Sequence, residues 1–152
     1  MLFRSGEVPI EETEEIIVVD KKLSGTKILL VEDNDFNKVV AVETLKDLID
    51  NPFIVVAVNG KNALEEIEKN VFDVVLMDIQ MPEMDGYETT RRIRALNNKT
   101  KACIRICAMT ANVTKEEIEG CATAGMNDFM IKPFTPEMLK EKILGNIYPE
   151  KK

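Results

Sequence analysis

Three acids and a lysine stand where apolar runs of the sequence end. Glu32 and Asp33 follow Lys27-Ile28-Leu29-Leu30-Val31, and Asp78 follows Asp73-Val74-Val75-Leu76-Met77. Thr110 and Ala111 follow the run from Ile104 to Met109, and Lys132-Pro133 follows the run from Met126 to Ile131. If these runs are strands of one parallel sheet, the three acids, the Thr110 hydroxyl and Lys132 converge on its carboxyl edge, where open α/β sheets bind ligands. A sheet serving structure alone has no need of that arrangement. Each acid taken singly has a plain alternative, since Asp and Glu are common in turns and Asp33 would serve to cap the next helix. Taken together they are harder to explain, because like charges at close range raise one another's pKa unless a cation compensates. Mg²⁺ would do so, typically using one or two carboxylates, waters and a phosphate oxygen. The sequence holds no GxxxxGK[ST] and no GxGxxG to cradle a nucleotide. A carboxylate nucleophile that itself becomes phosphorylated fits the pattern better.

Composition narrows the alternatives. The chain has no His, which excludes Ser-His-Asp catalysis, a histidine base and most zinc or haem sites. Any metal would be a hard one held by oxygen. The net charge of -7 disfavours direct nucleic-acid binding, and 5% aromatic residues with no Trp leave no stacking platform. Cys103, Cys107 and Cys121 have unremarkable spacing and read as small buried apolar groups in a reducing compartment, ahead of a redox or zinc role. No apolar run reaches the length of a membrane span, and the first residues lack a signal-peptide core. The expected setting is cytoplasmic, either free or as the cytosolic part of a membrane-bound protein.

The elements that must position these residues are legible. At 152 residues, with 45% hydrophobic and 31% charged, the chain suits one domain with a single sizeable core. Residues 1–24 are acidic and lack a clear period apart from Ile16 to Val19, and read as a linker or extension that docks at most a short strand. Residues 25–150 alternate strand and helix. A helix over Asp35 to Asp50 carries Phe36, Val39, Val40, Leu45, Leu48 and Ile49 close to one stripe, and Asn51-Pro52 stops it. Phe53 to Val58 reads as a strand and Asn62 to Asn70 as a helix, and a loop with Pro82 and Gly86 leads into another helix that runs to about Leu96. Thr114 to Ala124, closed by Gly125, and Pro136 to about Ile147 complete the helices. Five βα units with short loops predict a doubly wound five-stranded parallel sheet with helices on both faces.

The segments VEDNDFNKVVAVETL, VVLMDIQMPEMDGYETTRRIR, ICAMTANVTKEE and GMNDFMIKPF together resemble the receiver domain of two-component response regulators. The resemblance runs from about Lys27 to Ile147, with every signature position in family order. It implies the flavodoxin-like strand order 2-1-3-4-5, with Asp78 as phosphoacceptor. Glu32 and Asp33, helped by Asp78 and the backbone carbonyl of Gln80, would hold Mg²⁺, with Mn²⁺ able to substitute. Lys132 would pair with the acceptor carboxylate and then with the phosphate, and Thr110 would swing toward a phosphate oxygen. Phe129 matches the family's switch aromatic, with a plain core role as the alternative. Lys132-Pro133 matches its cis peptide, and Gln80 and Asn112 its positions that tune phosphate lifetime.

The implied partner is a histidine kinase or histidine phosphotransfer domain. A phosphohistidine would donate to Asp78, Thr110 and Lys132 would move to the new oxygens, and Phe129 would fill the space behind Thr110. The surface made by the fourth of the expected helices, the fifth strand and the last helix would then change. Such a domain catalyses only its own phosphorylation and dephosphorylation, and nothing in the chain opposes a homodimer. VEDNDFN, MDIQMPEMDGYE and ANVTKEE look most like receivers appended to hybrid sensor histidine kinases; a stand-alone regulator is the alternative. A phosphatase with an aspartyl intermediate would call for a second acid two residues after Asp78, where Gln80 stands, and a scaffold without phosphorylation would be expected to have lost one of the signature groups.

Overall fold

The computed structural model describes residues 23–148, so the expected extension lies almost wholly outside the described residues. Its strands are β1 (Lys27–Val31), β2 (Phe53–Ala57), β3 (Val74–Asp78), β4 (Ile106–Thr110) and β5 (Asp128–Ile131). They form one parallel sheet in the order β2-β1-β3-β4-β5, as the resemblance implied. Between and after them run α1 (Asp35–Leu48), α2 (Gly60–Lys69), α3 (Gly86–Arg94), the short α4 (Lys99–Ala102), α5 (Lys115–Ala124) and α6 (Pro136–Ile147).

The strands carry apolar side chains on both faces because both faces are covered. Leu29, Val31, Val75, Met77, Ile106 and Ala108 meet Ala63, Ile67, Ile93 and Cys121 from α2, α3 and α5. Ile28, Leu30, Val74, Leu76, Cys107 and Met109 meet Ala41, Leu45, Leu139 and Ile143 from α1 and α6, together with the fully buried Leu23. Each fully buried aliphatic side chain contributes about 1.5–3 kcal/mol of transfer free energy, which fixes the sheet as the rigid frame of the molecule.

Two features depart from the expected elements. The apolar stripe of α1 divides: Leu45 and Ile49 are buried, whereas Phe36, Val39 and Val40 are 73%, 61% and 41% exposed. Ala41 is the core residue of the amino-terminal half of that helix, so its larger neighbours project outward. The short α4 had no counterpart in the expected pattern; Asn98 caps it by accepting from the Lys101 N–H. Of the three cysteines, all free, Cys107 and Cys121 are buried and Cys103 is exposed.

Candidate functional site

Parallel register brings the candidate residues together. Val31 pairs with Met77 and Asp78 with Met109, so Glu32 arrives abreast of Asp78, and Thr110 ends the next strand. The Lys132 N–H donates to the Thr110 carbonyl at 2.7 Å, which brings the start of the β5–α6 loop to the same edge. Carboxylate oxygens of Glu32, Asp33 and Asp78 lie within 4.8 Å of one another. Lys132 Nζ stands 3.3 Å from Asp78 Oδ1 and 3.4 Å from Glu32 Oε1, so a single ammonium serves two buried carboxylates at somewhat long range. The Lys132–Pro133 peptide is cis.

The electrostatics are under-compensated. Glu32 and Asp78 are 2% and 4% exposed, while Asp33 opens to solvent. Burial pushes the Asp78 carboxyl up to about 6, the Glu32 charge adds to the rise, and Lys132 opposes it. Backbone donors help only modestly: the Gln80 N–H reaches Asp78 Oδ1 at 3.2 Å, and the Asn34 N–H reaches Glu32 Oε2 at 3.3 Å. Three oxygen donors around one lysine are a donor set suited to a hard divalent cation.

Local sequence explains how each group is held. The cap of α1 is Asn34, whose side chain accepts from the Asn37 N–H, so Asp33 is not spent on capping. The loop after Asp78 returns tightly: the Gly86 N–H donates to the Ile79 carbonyl at 2.8 Å, and a β-carbon at Gly86 would stand 2.6 Å from the Asp78 carbonyl oxygen. Gly86 was legible only as a loop residue, and its contact with the Asp78 backbone was not. The Thr110 hydroxyl donates to the Asn112 carbonyl at 2.9 Å and accepts from the Asn112 N–H at 3.1 Å. Phe129 is partly buried against the α2–α3–α5 side of the core. Gln80 and Asn112 are both exposed, two residues after Asp78 and two after Thr110 respectively.

One residue outside the expected set organises the opposite edge. Arg94 donates to the carbonyls of Gly125, Ala102 and Ile104 and to Asn127 Oδ1, at 2.7–3.0 Å. Gly125 closes α5 with φ 106°, and a β-carbon there would press on the Arg94 side chain. Nothing in the sequence around Arg94 distinguishes it from other helix-end arginines.

A five-stranded 2-1-3-4-5 sheet with acids at the ends of its first and third strands and a lysine after its fifth defines a class. The sequence profile described as response regulator receiver domain matches residues 28–144. The chain belongs to that family. It is 41% identical over 127 residues to hybrid signal transduction histidine kinase B of Dictyostelium discoideum, covering 77% of this chain and 6% of that protein. With histidine kinase 3 of Arabidopsis thaliana it shares 35% over 156 residues, covering 90% of this chain and 15% of the kinase. The chain thus spans a small part of the length of the curated histidine kinases it matches. Among solved structures, the receiver domain of a Pseudomonas aeruginosa sensor histidine kinase is 37% identical with a TM-score of 0.73, covering 81% of this chain and 98% of that one; that structure has a magnesium ion coordinated in its active-site cleft. Among the described residues, no helix is long and apolar enough to cross a membrane.

Proposed function

We propose that the chain accepts a phosphoryl group on Asp78 from a phosphohistidine of a histidine kinase or phosphotransfer domain, and changes its surface as a result. The observation that carries this reading is the cluster of Glu32, Asp33, Asp78 and Lys132 at one sheet edge, with an acceptor carboxylate that burial leaves short of positive charge. The oxygen donors of Glu32, Asp33 and Asp78, with the Gln80 backbone carbonyl, would hold Mg²⁺, for which Mn²⁺ would substitute. The bound ion supplies positive charge against the oxygens of the transferring group.

The chain's own groups do the rest. An Asp78 carboxylate oxygen forms the new O–P bond as the N–P bond of the phosphohistidine breaks, and the electron pair of that bond stays on the imidazole. Lys132, already 3.3 Å from Asp78 Oδ1, pairs with the phosphate oxygens that arrive there. Thr110 exchanges its bonds with Asn112 for one to a phosphate oxygen, and Phe129 takes the space released. Gln80 and Asn112, both exposed, meet the water that later removes the phosphate.

The donor docks on the exposed apolar face of α1. Phe36 and Val40 line a groove of about 310 Å³ that runs past Glu32 and Lys132 to Pro133 and Phe134. An apolar face flanking the reacting carboxylate brings a protein donor within transfer distance. The receiver unit is taken as residues 25–150 with 1–24 as an extension, and the parent protein as a cytoplasmic-facing hybrid histidine kinase.

The test is transfer of radiolabel from an isolated phosphohistidine protein. Label moves to the wild-type chain in Mg²⁺ and fails to move to Asp78→Asn; label on Asp78→Asn would place the acceptor elsewhere.

A further inference from the structure

Beside Phe129 sits a group of side chains that phosphoryl transfer does not use. Lys142 Nζ, in α6, lies 2.9 Å from Asp128 Oδ1 and 5.3 Å from the centroid of the Phe129 ring. The same Asp128 oxygen accepts the backbone N–H of Phe129 at 2.8 Å. One turn along α6, the buried Asn146 donates to Asp128 Oδ2 at 3.4 Å and to the Lys142 carbonyl at 2.7 Å. The cation is therefore tethered to the strand that carries the ring, and its tether is anchored from a second direction.

We propose that Lys142 is a positioning residue for the switch: its ammonium favours the present placement of the Phe129 ring and so sets how much of the unphosphorylated protein already occupies the switched arrangement. The inference rests on the reading above, in which Phe129 moves as Thr110 turns to a phosphate. An ammonium within about 6 Å of a ring centroid is attracted to the ring's face, and the attraction disappears when the ring leaves. Asp128 is what prevents the lysine from following. Its carboxylate holds Nζ beside β5 whichever way the ring points, so the ring–cation contact belongs to one state and the ion pair to both. A contact present in only one of two states shifts their populations by its full free energy.

The experiment uses the whole chain and reads the backbone amide resonances around Thr110 with and without Mg²⁺ and beryllofluoride, which stands in for the phosphoryl group. In wild type these resonances move from a free to a bound position. Free Lys142→Met moves along the same line toward the bound position, its switched population rising about two- to fivefold. Lys142→Arg retains a cation and stays at the wild-type position. A merely structural role for Lys142 would lower the unfolding midpoint without displacing the resonances along that line. Free Lys142→Met at the wild-type position, with fold intact, overturns the inference alone. If beryllofluoride fails to move the wild-type resonances, the switching reading falls and the Lys142 inference with it.

Discussion

Gly86 is packed against the backbone of Asp78 so closely that a β-carbon there would stand 2.6 Å from the Asp78 carbonyl oxygen and 2.8 Å from the Ile79 Cα. The two nearest atoms it would strike are backbone, which cannot swing away as a side chain can. Gly86→Ala is therefore expected to push Asp78 out of line with Glu32 and Lys132. Overpacking of this kind costs about 1–3 kcal/mol of stability. A misplacement approaching 1 Å lowers transfer by up to about a hundredfold. Urea unfolding and the rate of phosphorylation by a small donor measure the two effects; an alanine variant with wild-type rate would mean that the loop relaxes away from the site.

Asp78 also carries a stability cost that pH exposes. Its folded pKa is raised to about 6 from 3.8, so the folded state holds the proton more tightly than the unfolded one. Below about pH 4 the group is neutral in both states and contributes nothing. Between about pH 4 and 6 the unfolded chain releases its proton first and stability falls, and above about pH 6 the full penalty is present. In metal-free buffer at neutral pH, Asp78→Asn should be more stable than wild type by about 1–3 kcal/mol, a gain that fades toward pH 4. Urea titrations of both proteins across that range check the sign; a constant difference would place the cost somewhere other than ionisation.

Lys132 supplies the positive charge in contact with Glu32 and Asp78. Lys132→Met removes it, leaving the carboxylates to repel one another. Two opposite effects are expected. Mg²⁺ should bind more tightly, because an ammonium no longer competes for the same oxygens, while phosphorylation should fall at least about tenfold for want of a partner to the new phosphate. Mg²⁺-dependent thermal shifts and phosphorylation rates separate them; weaker Mg²⁺ binding would show the lysine to be ordering the acids more than opposing the ion.

Phe36 is 73% exposed, so Phe36→Asp should leave stability within about 0.5 kcal/mol of wild type. If α1 receives the donor, this variant takes phosphate from acetyl phosphate at the wild-type rate and from a phosphohistidine protein at least about tenfold more slowly. Equal slowing with both donors would assign Phe36 to the site's own geometry.

How far the sequence led depended on whether a feature was local. Strands buried on both faces appear as apolar runs, so the ends of β1, β3 and β5 and the residues after them could be read directly. The start of β4 at Ile106 could not, because Ile104 is equally apolar but lies before the strand. The α1 stripe misled because exposed and buried apolar side chains look alike in a periodic pattern; only the packing shows that Ala41 faces inward while Phe36 does not. Asp33 and Asn34 are both good caps on paper, and the hydrogen bond to Asn37 decides between them. The contacts of Gly86 with Asp78, of Arg94 with Gly125 and of Lys142 with Phe129 join residues that no spacing rule relates.

The most direct measurement of the central claim is intact mass after incubation with Mg²⁺ and acetyl phosphate, on wild type and Asp78→Asn side by side. The account predicts one phosphate on wild type, absent without Mg²⁺ and absent from Asp78→Asn. A phosphate on Asp78→Asn, or none on a wild-type protein whose amide resonances also ignore beryllofluoride, would contradict it.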